Sequence, residues 1–487
     1  MFRPYSSALE HLAMPWLSQF SRSRFWSVYQ RLRRNPESLF APSEEETLGK
    51  LNPLLAHAIE SVPYYRSRLS DIGPQDGLRT LEDIRQLPIT TKADFAAFFP
   101  DGVTSSKKEH LPWRYRSTSG TIDRLVVLHD YKKRDIVRAS QLLALNSTTG
   151  YMLGEKFQEI PPDVCRNVCG ATDSIEPSVY RYFADSVTRL ADPDVQADLR
   201  GLVERQLLYR QQTLPSFNGR GLAQEPSLLD EYIRQIRRYR PAVLKALPAY
   251  LYVLALHILD GGIRPPRIDR GISPMGGSVS PYMKKVIERA FECGVHEDYG
   301  SAELGAIAAE CGAKSGLHPF SSLFHVEVIR NGVPVQPGET GRILITDLYN
   351  YAMPFIRYNI GDVGVVHSGR CSCGMTTNRL DIQGRSRDCI VSDTGRLVTP
   401  DEVTDRILSV PGVLGFQLIV NESGEADLKV VPRRGRSPNL LDVQGLVADL
   451  VGQGLQIRTQ VVPTIGPEVS GKFRFVKHLG WRTECLP

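Results

Sequence analysis

The stretch TDLYNYAMPFIRYNIGD, Thr346 to Asp362, decides how this chain is read. It follows a run, 323–346, in which the pattern changes to short strands and turns. Phe324 to Ile329 (FHVEVI) alternates apolar and polar residues, Asn331-Gly332 supplies a hairpin turn, Pro337-Gly338 supplies another, and Gly341 to Thr346 (GRILIT) alternates again. The stretch itself ends on Gly361-Asp362, a glycine turn that presents a carboxylate.

Working outward, residues 1 to about 100 read as helices joined by loops. Leu51 to Glu60 has apolar positions at helical spacing, and Pro63 breaks it at Val62. From about 113 to 300, apolar runs such as Arg124 to Leu128 and Pro241 to Lys245 alternate with helical patterns such as Leu228 to Tyr239, which favours α/β layers. Ala246 to Leu259 has the length and apolar character of a buried core helix. Residues 151–218 give no clear pattern beyond a charged, helical segment near Asp192 to Gln212. After Gln383 to Asp388 the remaining residues form a small α/β pattern of their own, with helices expected at Asp401 to Leu408 and Leu440 to Val451. The expected division is therefore 1–383 and 384–487.

Composition narrows the class. With 487 residues the chain exceeds one simple core. Lys plus Arg number 59 against 54 acidic residues, and the resulting net charge of +5 gives no reason to expect nucleic acid as a partner. The basic run Ser21 to Arg34 carries interleaved aromatics and reads as one face of an N-terminal helix, with surface or membrane contact as the alternative. No run reaches the 18 or so apolar residues a transmembrane helix needs. The N-terminus lacks the pattern of a signal peptide. Eight cysteines in a chain this long do not make a disulfide framework, and the expected compartment is a reducing cytoplasm.

Five short segments carry candidate chemistry. Tyr115 to Arg124 (YRSTSGTIDR) places Ser117, Thr118, Ser119, Gly120 and Thr121 where backbone amides and hydroxyls could hold phosphate oxygens, although no Gly-Lys-Ser/Thr follows and a polar turn is the plain alternative. Glu297 to Glu303 (EDYGSAE) follows an amphipathic helix, Pro281 to Cys293, and a short strand edge at Val295-His296. It offers an aromatic ring and carboxylates at a strand end, a place for a base and a divalent cation. Asp362 could accept bonds from both hydroxyls of a ribose. Gly384 to Asp388 (GRSRD) lies at the expected domain boundary, and Val469 to Arg474 (VSGKFR) sets Lys472 behind a serine-glycine turn.

Together, the order and spacing of these segments resemble the adenylate-forming superfamily, and within it the phenylacetate–coenzyme A ligase-like branch. The resemblance includes SVPYYRSRL at 61–69, LPITTKADF at 87–95 and MGGSVSP at 275–281, and it covers most of the chain outside roughly 151–215. It implies a large, multi-layer N-terminal α/β domain and a small, mobile C-terminal α/β domain. It also implies a two-step reaction: a carboxylic acid, expected to be aryl or a small acyl acid, reacts with ATP to give an acyl-adenylate. A thiol, expected to be that of coenzyme A, then displaces AMP. A carrier protein or an amine is the alternative acceptor.

By position, residues 117–121 would clasp the ATP phosphates, and Gly276, Gly277 and Ser278 would border the adenine and acyl pocket. Asp298, Tyr299 and Gly300 would lie against AMP, with Tyr299 stacked on adenine, and Glu303 would hold Mg2+. Asp362 would bind the ribose with Arg385 beside it, and Lys472 would neutralise the attacked phosphate. Arg387 and Asp388 would be the hinge about which the C-terminal part swings.

The chain departs from the family pattern in four places. Ile122-Asp123-Arg124 replaces the usual end of the phosphate loop, and Ala302 replaces a hydroxyl residue before Glu303. Arg387 stands at the usual hinge position, and residues 151–215 do not read like the corresponding family region. These departures keep a second class open, a nucleotide-binding scaffold without activity. Separately, Cys311-x6-His318 and Cys371-x-Cys373 supply three thiolates and an imidazole. That is a closed, structural zinc set expected to pin the 323–346 strand pair to the approach of Asp362; four unligated side chains are the alternative. A zinc hydrolase would need an open coordination position, which this set does not leave. Cys165, Cys169, Cys293, Cys389 and Cys485 show no partner pattern. Oligomeric state is left open by the sequence.

Overall fold

The computed structural model describes residues 3–16, 24–35, 39–69, 77–108, 113–117, 125–162, 206, 208–217, 221–452 and 454–479. The helical start is present. Ser43 caps the helix Glu44–Ser61 by a reciprocal capping box with Glu46, and this helix ends at Val62, ahead of the next helix Pro63–Leu69. The aromatic run forms the helix Phe25–Arg34, whose Phe25, Trp26, Tyr29 and Leu32 are buried.

Two sheets organise the middle of the chain. A parallel four-stranded sheet runs in the order Gln211–Thr213, Phe157–Ile160, Val243–Ala246, Gly271–Pro274. The segment that gave no sequence pattern thus supplies two of its strands, and Gln211–Thr213 is extended where a helix was expected. Residues 163–205, including Cys165 and Cys169, lie outside the described residues. The helix Pro248–Asp260 is buried on nearly every side, as its uniform apolar sequence requires. The helices Pro226–Tyr239 and Pro281–Phe291 show the amphipathic pattern of surface-packed helices.

The second sheet has nine strands. Eight follow the order Val333–Pro334, Phe324–Arg330, Thr340–Asp347, Tyr358–His367, Arg379–Arg385, Leu317–Pro319, Gly305–Glu310, Asp298–Ser301, and the short strand Thr90–Thr91 pairs in parallel with Tyr358–His367. The Asn331-Gly332 turn forms as expected, with φ of 53° and 78° at its two residues. Because Tyr358–His367 pairs with Arg379–Arg385, the ends of the TDLYNYAMPFIRYNIGD and GRSRD segments meet across one ladder.

Beyond Ser386–Asp388, a four-stranded sheet runs Gln456–Val461, Glu425–Pro432, Val413–Val420, Val476–His478, accompanied by helices Pro400–Leu408 and Leu440–Val451. One buried cluster joins the helical start to the nine-stranded sheet. The other runs from the parallel sheet into this C-terminal part, through residues such as Leu222, Phe416 and Ile465. No helix among the described residues is long and apolar enough to cross a membrane.

Candidate active site

Asp362 and Arg385 are partners in the ladder between Tyr358–His367 and Arg379–Arg385. Their side chains form an ion pair at 3.1 Å (Arg385 Nε to Asp362 Oδ1), and Tyr299 Oη donates to Asp362 Oδ2 at 2.7 Å. Asp362 and Tyr299 are buried, whereas the Arg385 side chain is half exposed. Burial, with Asp362 beside it, pushes the Tyr299 hydroxyl well above the usual tyrosine range, so it stays a neutral donor. Asp362 holds the Arg385 guanidinium firmly charged. Arg385 Nη1 also donates to the Ile360 carbonyl at 3.1 Å, which braces the turn before the carboxylate.

Tyr299 lies on Asp298–Ser301, which pairs with Gly305–Glu310 across a turn carrying Ala302 and Glu303. Gly300 is required here, since a Cβ on it would stand 2.4 Å from the Gly305 carbonyl oxygen. Glu303 is buried, with its backbone carbonyl held at 2.7 Å by His129 Nε2. Asp298 Oδ1 accepts from Ser273 at 3.2 Å and lies 3.8 Å from Lys245 Nζ.

Gly276 has φ of 78°, and a Cβ there would come within 3.3 Å of Lys472 Cε and 3.7 Å of its Nζ. The lysine of the C-terminal part therefore reaches the MGGSVSP segment, with Gly277 next to it. Ser278 makes a contact that the sequence did not signal. Its hydroxyl donates to Asp401 Oδ1 at 2.6 Å, at the start of the helix Pro400–Leu408, and burial raises that carboxyl to about 7. Asp405 of the same helix accepts from the Tyr282 backbone amide. Asp388 is buried and ion-paired with Arg474, two residues past Lys472, so one hinge residue is tied to the lysine's own segment. Arg387 lies beside it in the turn Ser386–Asp388. Of the phosphate-loop residues, Ser117 ends the strand Trp113–Ser117, which pairs with Val126–Asp130. Thr118, Ser119, Gly120 and Thr121 lie outside the described residues.

Cys311, His318, Cys371 and Cys373 converge, with all four candidate ligand atoms within 4.8 Å of one another. Cys311 Sγ and Cys371 Sγ are 3.6 Å apart, and Cys373 Sγ is 3.7 Å from His318 Nε2. Tetrahedral bonds of about 2.3 Å to sulfur and about 2.0–2.1 Å to nitrogen imply ligand separations of about 3.6–3.8 Å, so the residues fit zinc. The Thr377 hydroxyl lies 2.8 Å from His318 Nδ1, orienting the ring with Nε2 toward the thiols. The elements joined differ from those expected. The cluster ties the turn between Gly305–Glu310 and Leu317–Pro319 to the connection between Tyr358–His367 and Arg379–Arg385, and the 323–346 pair takes no part.

Three residues with structural influence on the site carry no signal in the sequence. Lys133, in the charged run Tyr131 to Arg134, reads as solvated but is wholly buried against Asp347, 2.6 Å away. His129 and Asp401 have no telling spacing either; each acts through a contact more than a hundred residues away in the chain.

No family model matches the chain. It is 26% identical over 411 residues to the phenylacetate-coenzyme A ligase of Thermus thermophilus, covering 81% of each chain. It is 25% identical over 393 residues to the Escherichia coli phenylacetate-coenzyme A ligase, covering 78% of this chain and 79% of that one. Among solved structures, a 2-hydroxyisobutyryl-CoA ligase in its postadenylation state with 2-HIB-AMP superposes with a TM-score of 0.67 over 92% of both chains at 19% identity. The chain therefore has the fold of the adenylate-forming CoA ligases and is a relative of the phenylacetate–coenzyme A ligases.

Proposed function

We propose that this chain activates a small carboxylic acid with ATP and passes the acyl group to the thiol of coenzyme A. The observation that carries this reading is the convergence on Asp362: Tyr299 from one strand and Arg385 from another fix both oxygens of a buried carboxylate at the end of the sheet that also presents Glu303. In the first step a carboxylate oxygen of the acid bonds to the α-phosphorus of ATP, and the bond to the pyrophosphate oxygen breaks. In the second, the thiolate sulfur bonds to the acyl carbon and AMP leaves with the electron pair of the broken C–O bond.

The protein's part is positioning and charge stabilisation. Asp362 accepts from the ribose hydroxyls, oriented by Tyr299 and Arg385. Lys472, adjacent to Gly276, places an ammonium where negative charge builds on the attacked phosphate. Glu303 would hold Mg2+, which supplies charge neutralisation on the phosphate oxygens when bound. The 117–121 loop would complete the phosphate cradle.

Residues 384–487 act as the mobile part in this reading, turning about 385–388 between the two steps. The Ser278–Asp401 and Tyr282–Asp405 contacts are those such a motion must exchange, while the Asp388–Arg474 pair ties the hinge to the moving part. Cys311, His318, Cys371 and Cys373 would hold a structural zinc ion that stiffens the edge of the sheet bearing Tyr299 and Arg385. Such a set needs Cys311, Cys371 and Cys373 as reduced thiolates, which suits a reducing, cytoplasmic setting.

Incubation of the purified chain with ATP, Mg2+, coenzyme A and a panel of aryl and short acyl acids tests the reading. AMP and an acyl-coenzyme A thioester appearing together, dependent on the acid, are expected. AMP and acyl-adenylate without thioester would shift the acceptor to a carrier protein or an amine.

A further inference from the structure

The turn that presents Glu303 is held from outside its own hairpin by two side chains of a single stretch of chain. His129, near the end of the strand Val126–Asp130, donates from Nε2 to the Glu303 carbonyl at 2.7 Å. Lys133, in the first turn of the helix Tyr131–Thr149, donates from Nζ to the Leu304 carbonyl at 3.0 Å. The same ammonium lies 2.6 Å from Asp347 Oδ2, and both side chains are fully buried. Asp347 is the last residue of Thr340–Asp347, and its Oδ1 accepts from the Tyr349 amide at 3.0 Å, which starts the loop leading to Asp362. Asp130, the helix cap, accepts from the Lys133 amide at 2.6 Å and so fixes where the lysine side chain departs. Within the turn itself, the Leu304 amide donates to Ser301 Oγ at 3.3 Å, while Ala302 contributes no hydroxyl.

We infer that Lys133, paired with Asp347 and seconded by His129, is a positioning residue that fixes the Glu303 turn relative to the strand Val126–Asp130, which follows the phosphate loop, and to the loop that leads into the strand carrying Asp362. One ammonium thereby joins three segments of the nucleotide site: it touches the Glu303 turn, starts from the helix that follows the strand Val126–Asp130, and is neutralised by Asp347, the second residue of TDLYNYAMPFIRYNIGD. An ammonium without any water contact needs both of its oxygen partners, so the Leu304 carbonyl has little freedom to move. The turn that carries Ala302 and Glu303 is thus held through its backbone carbonyls from outside its own hairpin. The inference rests on Glu303 serving Mg·ATP.

The test uses the full chain carrying Lys133→Met with Asp347→Asn. This double variant removes both charges together, keeps an acceptor for the Tyr349 amide and leaves the rest of the core filled. Lys133→Met alone would strand a buried carboxylate and unfold part of the core. Three quantities are read: the thermal midpoint, amide hydrogen exchange over 301–305 in the protein without nucleotide, and the calorimetric Kd of ATP with Mg2+ and with EDTA. The inference expects faster exchange at 301–305 and a tenfold or greater loss of the affinity that Mg2+ adds. The EDTA Kd should stay within about twofold, and acid KM should be little changed. Unchanged exchange and an unchanged Mg2+ increment in the folded double variant overturn it. Should that variant not fold, His129→Phe removes the other carbonyl anchor. Faster exchange and a smaller Mg2+ increment in that protein then support the inference, and no change in either overturns it. Wild-type protein that binds Mg·ATP but makes no adenylate with any acid sinks the proposed reaction and leaves this inference to be decided by exchange and binding. Wild-type protein whose ATP affinity ignores Mg2+ sinks the inference.

Discussion

Tyr299→Phe separates two roles that one residue could play. If the ring alone matters, as a surface for adenine, phenylalanine preserves it. If the hydroxyl matters, through Asp362, phenylalanine abolishes it. The geometry favours the hydroxyl: it donates at 2.7 Å to a buried carboxylate whose other oxygen is held by Arg385 at 3.1 Å. A hydrogen bond to a charged group is worth about 1.5–3 kcal/mol, which corresponds to roughly 10- to 150-fold in a binding constant. Arg385 is half exposed and still holds Asp362 in the variant, so the lower end applies, about tenfold. Isothermal titration of ATP into wild type, Tyr299→Phe and Tyr299→Ala measures it. Tyr299→Phe should weaken ATP about tenfold, and Tyr299→Ala should lose about tenfold more if the ring also stacks. Because the hydroxyl stays neutral through the working range, the loss should not vary between pH 6 and pH 9. A Tyr299→Phe protein that binds ATP with wild-type affinity would refute the reasoning, because Asp362 would then need no orienting donor.

Further outcomes follow from single contacts. Burial raises the Asp401 carboxyl from 3.8 to about 7, so the folded chain binds that proton more tightly than the unfolded chain. The associated stability is full below pH 4 and is lost as pH rises through 7; the shift amounts to about 4 kcal/mol at most, and about half that once the partial exposure of the residue is allowed for. Asp401→Asn should therefore flatten denaturation midpoints measured between pH 5 and pH 8, and an undiminished slope would count against the assignment. Gly276→Ala forces a side chain into left-handed backbone beside Lys472, and should slow adenylate formation at least tenfold while thioester formation from preformed adenylate changes less. Zinc at a thousandfold its Kd would add about 4 kcal/mol to the folded state. Metal analysis should accordingly find one zinc per chain, and Cys371→Ser or chelation should lower the melting midpoint; metal-free protein of unchanged midpoint would dismiss the site.

Much of the fold could be read from the chain because its signals are local. The Asn331-Gly332 turn, the alternation at 324–329 and 341–346, and the helix Leu440–Val451 each depend on residues within a few positions of one another. The parallel strands Phe157–Ile160 and Gln211–Thr213 could not be read so, because their pairing is with Val243–Ala246 and each other, across long connections. The same physics divides the site. Tyr299, Asp362 and Arg385 stood out as separate letters, but their shared carboxylate depends on the register of two ladders, one interrupted at Val363/Gly364 and the other at Tyr299/Gly300. Lys133 was hidden by its company, since Lys132 and Arg134 make the run look solvated. The Ser278 contact with Asp401 had no signal either, because it joins residues 123 positions apart in the chain.

The most direct measurement is carboxylate-dependent exchange of labelled pyrophosphate into ATP, across a panel of aryl and short acyl acids, in wild type and Lys472→Ala. The account expects exchange with at least one acid, none without acid, and a loss of a hundredfold or more in Lys472→Ala with ATP still bound. ATP binding without exchange for any acid would contradict it and leave the chain a nucleotide-binding scaffold.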